Sequence, residues 1–186
     1  MKHIHLRILA CILFLFAVTH IHAQIYICTS GKTSFYSTGR IENIEATSNK
    51  TNVVLNTATN EVLVKMQITS FVFKNGLMQD HFNETYMESD QYPYAQFKGK
   101  INGTVHYTVA GEYPVTVTGS LYIHGVTVER IISGTIKVAQ GSVTLVADFI
   151  VSAAAHKIDI PKDKISNISQ EIKISTYAIC TPYVKK

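Results

Sequence analysis

Alternation with a period of two runs through most of this chain and is broken once. Glu112–His124 sets Tyr113, Val115, Val117, Gly119, Leu121 and Ile123 on one face and Thr116, Thr118 and Ser120 on the other. Tyr94–Ile101 does the same, with Ala95, Phe97, Gly99 and Ile101 against Gln96, Lys98 and Lys100. Side chains two apart share a face of a strand, so each stretch predicts a strand with one buried and one solvated side. Further strands are predicted over Ile25–Thr29, Thr33–Arg40, Ile41–Thr47, Val53–Thr57, Glu61–Phe73, Val126–Val138, Ser142–Ser152 and Ile168–Ala178. Ser30-Gly31-Lys32, Ser48–Asn52 and Pro161–Ser166 read as turns or loops, and a bulge near Ser70 reconciles the two parities of Glu61–Phe73. About eight to ten strands at this spacing make an all-β domain, an antiparallel up-and-down barrel or a sandwich.

The interruption lies inside Phe71–Gly99. Leu77, Met78, His81, Phe82, Thr85 and Tyr86 recur at helical spacing on one face, with Asp80, Asn83, Glu84 and Glu88 opposite. Asn75-Gly76 reads as the helix start, and Ser89-Asp90 followed by Pro93 as its stop. One short apolar helix therefore lies against the β-structure. We expect it to close one end as a lid, with Phe71, Phe73 and Phe97 lining the approach.

The inward parity contains small residues among larger ones: Ala95, Gly99, Gly119, Gly134 and Ala147. Such residues either leave interior volume for a ligand or mark bends in the wall, and both readings stand at this point. The outward parity carries Lys, Gln, Thr and Glu, the reverse of a membrane-spanning barrel.

Residues 1–23 read as a cleavable secretory leader: Lys2 and Arg7, an apolar run from Ile8 to Val18, then Ala23 at the cut. The mature domain is expected over residues 24–186, and an exported protein is expected. Losing Lys2 and Arg7 takes the formal charge from +4 to +2. Only Lys185-Lys186 remains as a basic run, so nucleic acid is not an expected partner. The mature chain keeps Cys28 and Cys180 at its two ends, and export favours their pairing as a disulfide between the first and last strands. Such a link over so long a loop is worth about 4–5 kcal/mol in the chain-entropy picture.

Chemistry has little to stand on. His81, His106, His124 and His156 lack metal-ligand spacing, and no metal site is expected. Asp80, His81 and Glu84 cluster on the helix and are the sole candidates for acid–base work, with no catalytic partner elsewhere. No catalytic residue is assigned, and the chain is not expected to be an enzyme.

The blocks Asp80-His81-Phe82-Asn83-Glu84, Tyr86-Met87-Glu88-Ser89-Asp90, Tyr92-Pro93 and Ala95-x-Phe97-x-Gly99 resemble the YceI-like polyisoprenoid-binding family. So does Gly119-Ser120-Leu121-Tyr122-Ile123-His124-Gly125-Val126-Thr127, and with Phe35-x-Ser37 the resemblance covers essentially the whole mature chain, most like shorter exported members from the Bacteroidetes group. It implies an extended lipocalin-like antiparallel barrel in the periplasm around an isoprenoid chain, such as a polyprenyl lipid or a quinone tail, with no other cofactor. The residues expected to hold it are Phe71, Phe73, Leu77, Met78, Phe82, Tyr86, Phe97, Val117, Gly119, Leu121 and Phe149. A monomer or homodimer in transient contact with a membrane surface is the expected working state. Ala155-His156-Lys157-Ile158 departs from the Asp-Tyr pair usual in the family, and the two cysteines are not a general family feature. The rival reading is an envelope structural or stress-related protein with a filled barrel and a protein partner.

Overall fold

Among the described residues nine strands form one antiparallel sheet: β1 (Ile25–Ser37), β2 (Ile44–Asn56), β3 (Glu61–Gln67), β4 (Val72–Phe73), β5 (Tyr94–Asn102), β6 (Gly111–Ile123), β7 (Val126–Ala139), β8 (Ser142–Ser152) and β9 (Glu171–Pro182). The computed structural model describes residues 24–40, 42–161 and 168–184. The expected leader, most of the expected Pro161–Ser166 loop and Lys185-Lys186 lie outside them. The order β1-β9-β8-β7-β6-β5-β3-β2 closes through pairing of β1 with β2, which makes an eight-stranded barrel. The two-residue β4 pairs with β2 at Ala46 and Thr47, taking over where β3 ends.

Two expected breaks are not breaks. Ser30–Lys32 and Ser48–Asn52 continue their strands, so β1 and β2 are each single long strands, with an irregular register around Gly31. Polar residues misled the reading because their hydroxyls satisfy one another indoors. Thr33 Oγ1 and Thr51 Oγ1 lie 2.8 Å apart, and Thr33 Oγ1 is 3.2 Å from Thr176 Oγ1. The Ser48 hydroxyl meets that of Ser70 at 2.7 Å. A buried hydroxyl is tolerated when it is paired, so such stretches can stay in a barrel wall. The bulge expected near Ser70 is a 3₁₀ turn, Ile68–Ser70, that redirects the chain into β4.

The helix starts where expected. The Asn75 side chain accepts from the backbone N–H of Leu77 at 2.8 Å, capping α1 (Gly76–Asp80). The chain then widens into a π-helical segment, His81–Tyr86, in which the N–H of Met87 donates to the carbonyl of Phe82 at 2.9 Å. Widened turns rotate the buried face. Met87 is thereby buried, whereas Leu77 and Thr85 are exposed. The two-residue turn His124-Gly125 joins β6 to β7 with φ of 50° and 74°, the left-handed pair typical of such hairpins.

The wall is not uniform. β7 pairs with β8 only from Gly134 to Ala139, opposite Ala147 to Ser142. Nearer the helix the two strands part, and Arg130 Nη2 donates to the Ile150 carbonyl across the gap at 2.6 Å.

Candidate functional site

Connections 37–44, 67–94, 123–126 and 152–171 all fall at one end of the barrel, and the helix is the largest of them. Where the helix meets the barrel, four phenylalanines gather: Phe35 of β1, Phe71 just before β4, Phe73 of β4 and Phe82 of the π-helical segment. The Phe82 ring lies 5.2 Å from Phe35, 5.0 Å from Phe73 and 5.7 Å from Phe71, centroid to centroid. Phe35 also meets Phe71 and Phe73 edge-on at 5.4 and 5.5 Å. Aromatic pairs at such distances add about 0.5–1.5 kcal/mol each beyond their burial.

This cluster roofs a cavity of about 470 Å³ in the upper half of the barrel. Its wall is overwhelmingly apolar, with Val64, Met66, Ile123, Val151, Ile172 and Ile174 from the strands and Ile158, Ile160 and Ile168 from the β8–β9 connection. Exposed Glu42 and His81 stand at its rim. Such a volume and lining lie within the range of small-molecule sites in proteins.

Of the residues expected to hold a ligand, Phe71, Phe73, Met78, Phe82, Tyr86, Phe97, Leu121 and Phe149 stand on the cavity wall. Three do not, and each is a correction. Leu77 is 62 % exposed, because the inner row of the helix runs through Met78, Phe82 and Tyr86 and leaves it to one side. Val117 packs against the filled lower core. Gly119 has no room to face a ligand: a Cβ there would sit 2.3 Å from the Lys98 carbonyl oxygen and 2.4 Å from the Gly99 Cα. Of the two readings for the small inward residues, these paired glycines are a close crossing of β5 and β6, not spare volume. Asp80 and Glu84 are exposed and off the cavity wall, so the helix brings only His81 of that trio to the rim.

Sequence reasoning missed the far side of the site: Thr33, Phe35 and Ser37 of β1, Ile44 of β2, the isoleucines of the β8–β9 connection, and Met87. Alternating parity could have flagged the strand residues as inward. It could not say which end of the barrel stays open. The fastening of the helix was also missed. His124 Nε2 lies 2.8 Å from Glu88 Oε2, just past the helix, while His124 Nδ1 lies 3.3 Å from the His156 carbonyl. Glu88 and His124, which meet in this contact, both have positive φ, as does Lys157 next to His156.

His156 is fully buried, and its Nδ1 donates to the Val126 carbonyl at 3.2 Å. Its Nε2 is buried with no partner. Burial, assisted by the nearby charges of Arg130 and His124, pushes its pKa below the usual histidine value, against the backbone carbonyls of Val126 and Ile123. The unfolded chain thus binds a proton more readily than the folded one. Stability is expected to fall as pH drops below the unfolded value of about 6.5. Thermal melts from pH 8 to 5 check this: His156→Gln, which keeps a donor for Val126, should flatten the acid limb, and an unchanged limb would assign it to other groups.

Cys28 and Cys180 stand side by side as thiols, not as the expected disulfide, in the lower core. Each is one residue along from the paired Ile27 and Thr181. Burial, then the neighbouring Cys28, raises the pKa of Cys180 to about 12. Among the described residues no cluster of His, Cys, Asp and Glu could hold a metal ion, and no helix is long and apolar enough to cross a membrane.

A model of the YceI-like domain matches residues 16–178. No curated protein matches the chain. A polyisoprenoid-binding domain from Saccharophagus degradans, implicated in plant cell wall breakdown, superposes with a TM-score of 0.73 at 12 % identity, covering 87 % of this chain and 99 % of that one. BcnA of Burkholderia cenocepacia superposes at 0.69 with 18 % identity, over 81 % and 96 % of the two chains. A YceI protein of Campylobacter jejuni follows at 0.58 and 16 %, over 73 % and 81 %. At these identities the superpositions establish the fold, and the sequence match establishes the kinship: the chain belongs to the YceI-like domain family.

Proposed function

We propose that this protein is an exported carrier that shelters the apolar chain of an isoprenoid or similar lipid in the upper barrel, without chemistry on it. One observation carries the reading: a cavity of about 470 Å³ walled by aliphatic and aromatic side chains, roofed by a helix that few contacts hold. A barrel packed solid to both ends would have favoured the rival, a structural envelope protein. A neighbour in fold described as polyisoprenoid-binding supports the ligand class. The energetics favour transport over storage. Burying a methylene is worth about 0.8 kcal/mol relative to water, but a bilayer offers the same carbons an equally apolar home. Movement between membrane and barrel is then nearly neutral and reversible.

The test is to express the chain with its own leader, isolate it from the periplasmic fraction, and analyse it by native mass spectrometry and lipid extraction. A stoichiometric apolar lipid is the expected result. A reproducibly empty barrel that takes up no added prenyl lipid would sink the proposal.

Export also bears on the cysteines. A disulfide-bearing oxidant can exchange with the Cys28 and Cys180 thiols before the barrel closes. The two thiols lose two protons and two electrons, one S–S bond forms, and the oxidant's disulfide is reduced. Protein from an oxidising compartment is expected to show no alkylatable thiol after denaturation, and to melt above Cys28→Ser/Cys180→Ser by the equivalent of about 4–5 kcal/mol. Two alkylated cysteines would refute the link.

A further inference from the structure

The lower half of the barrel is packed with buried side chains. We infer that it is a molecular ruler that caps the length of chain the upper cavity can shelter. This rests on the carrier reading and specifies the ligand of the same site.

The floor is built from cross-strand neighbours. Val64 of β3 pairs with Phe97 of β5, and Phe97 with Leu121 of β6. On the opposite side Thr33 of β1 pairs with Thr176 of β9, their hydroxyls 3.2 Å apart. All five line the cavity. One layer down, Phe97 leans over Gly99: a Cβ on Gly99 would meet Phe97 Cζ and Val117 Cγ1, each at 2.9 Å. Gly99 itself faces Gly119 at the tight crossing of β5 and β6. Below that, Leu55, Val62, Ile101, Val143 and Cys180 are all buried in one continuous cluster. A space of about 50 Å³ beside Val117 and Ile132 is too small for a chain to follow.

The cavity of about 470 Å³ above that floor is then the space a chain can use. A longer chain leaves its remainder outside the rim at Glu42 and His81, in water or in a membrane. The small glycines at the β5–β6 crossing let Phe97 tip inward and end the cavity.

Geraniol, farnesol, geranylgeraniol and solanesol, titrated against a displaceable fluorescent fatty acid, test this on the full mature chain. Affinity is expected to rise roughly 100- to 1,000-fold per buried isoprene unit and to stop rising within the series. Phe97→Ala should move the break to a longer alcohol. Val64 stands on the cavity wall, so Val64→Phe adds bulk there and should move the break to a shorter alcohol even if Phe97→Ala fails to fold. Affinity that keeps climbing to solanesol, or a break unmoved by Val64→Phe, would overturn the ruler and leave the carrier reading standing. No binding of any prenyl alcohol would overturn both.

Discussion

Gly119→Ala is expected to destabilise the barrel by about 3 kcal/mol or more, a large share of the roughly 5–15 kcal/mol that holds a domain of this size together. The added methyl would fall 2.3 Å from the Lys98 carbonyl oxygen and 2.4 Å from the Gly99 Cα, both backbone atoms of the paired strand. A flexible side chain could step aside; a hydrogen-bonded strand cannot. β5 and β6 would have to part along the ladder that runs from Gln96–Tyr122 to Asn102–Thr116. Gly76→Ala is the contrast, because nothing lies within 4 Å of a Cβ there and the position opens a helix. It should be neutral or slightly stabilising. Denaturant midpoints of the two variants decide it. Near-equal midpoints would mean that the glycine crossing is less tight than the structure has it.

Phe82→Ala is expected to free the helix while leaving the barrel folded. No residue of α1 or of the following π-helical segment is fully buried, so their attachment depends on few contacts. Phe82 supplies three of them, to Phe35, Phe71 and Phe73. Losing three aromatic pairs removes about 2–3 kcal/mol from docking of the helix. Hydrogen exchange at the amides of Met87 and Ser89, which bond back to Phe82 and Asn83, should accelerate roughly 30- to 100-fold, with β6 and β9 amides unchanged. Affinity for a bound chain should drop about 10-fold or more, since the roof of the cavity is no longer held shut. If amides in all strands accelerate together, Phe82 belongs to the global core and the helix is not a separate lid.

What could be read without coordinates follows a physical pattern. Strand alternation is a local signal, since a half-buried strand needs one apolar face whatever its neighbours are. The parity of β5, β6 and β9 was therefore legible, down to inward Phe97, Leu121, Ile172 and Ile174. The helix start was legible because Asn75 caps it through its own side chain. Reading failed where partners came from afar. Thr33 and Thr51 looked like loop residues because the hydroxyls that satisfy them are supplied by other strands. Leu77 shares the apolar arc of the helix but lies beside its inner row of Met78, Phe82 and Tyr86, and Met87 is buried just past a π-helical turn that leaves no trace in a count of residues.

Local patterning suffices for an all-β chain with one helix, an apolar interior parity, and family motifs that place it among YceI-like domains. How the interior is shared depends on contacts between distant strands. Val117 and Leu121 have the same parity and lie on the same strand, yet one is packed into the lower core and the other stands on the cavity wall. Depth along a barrel is set by register and by how closely strands approach, as Gly99 and Gly119 do. Those are relations between distant segments, and no periodicity within a segment carries them.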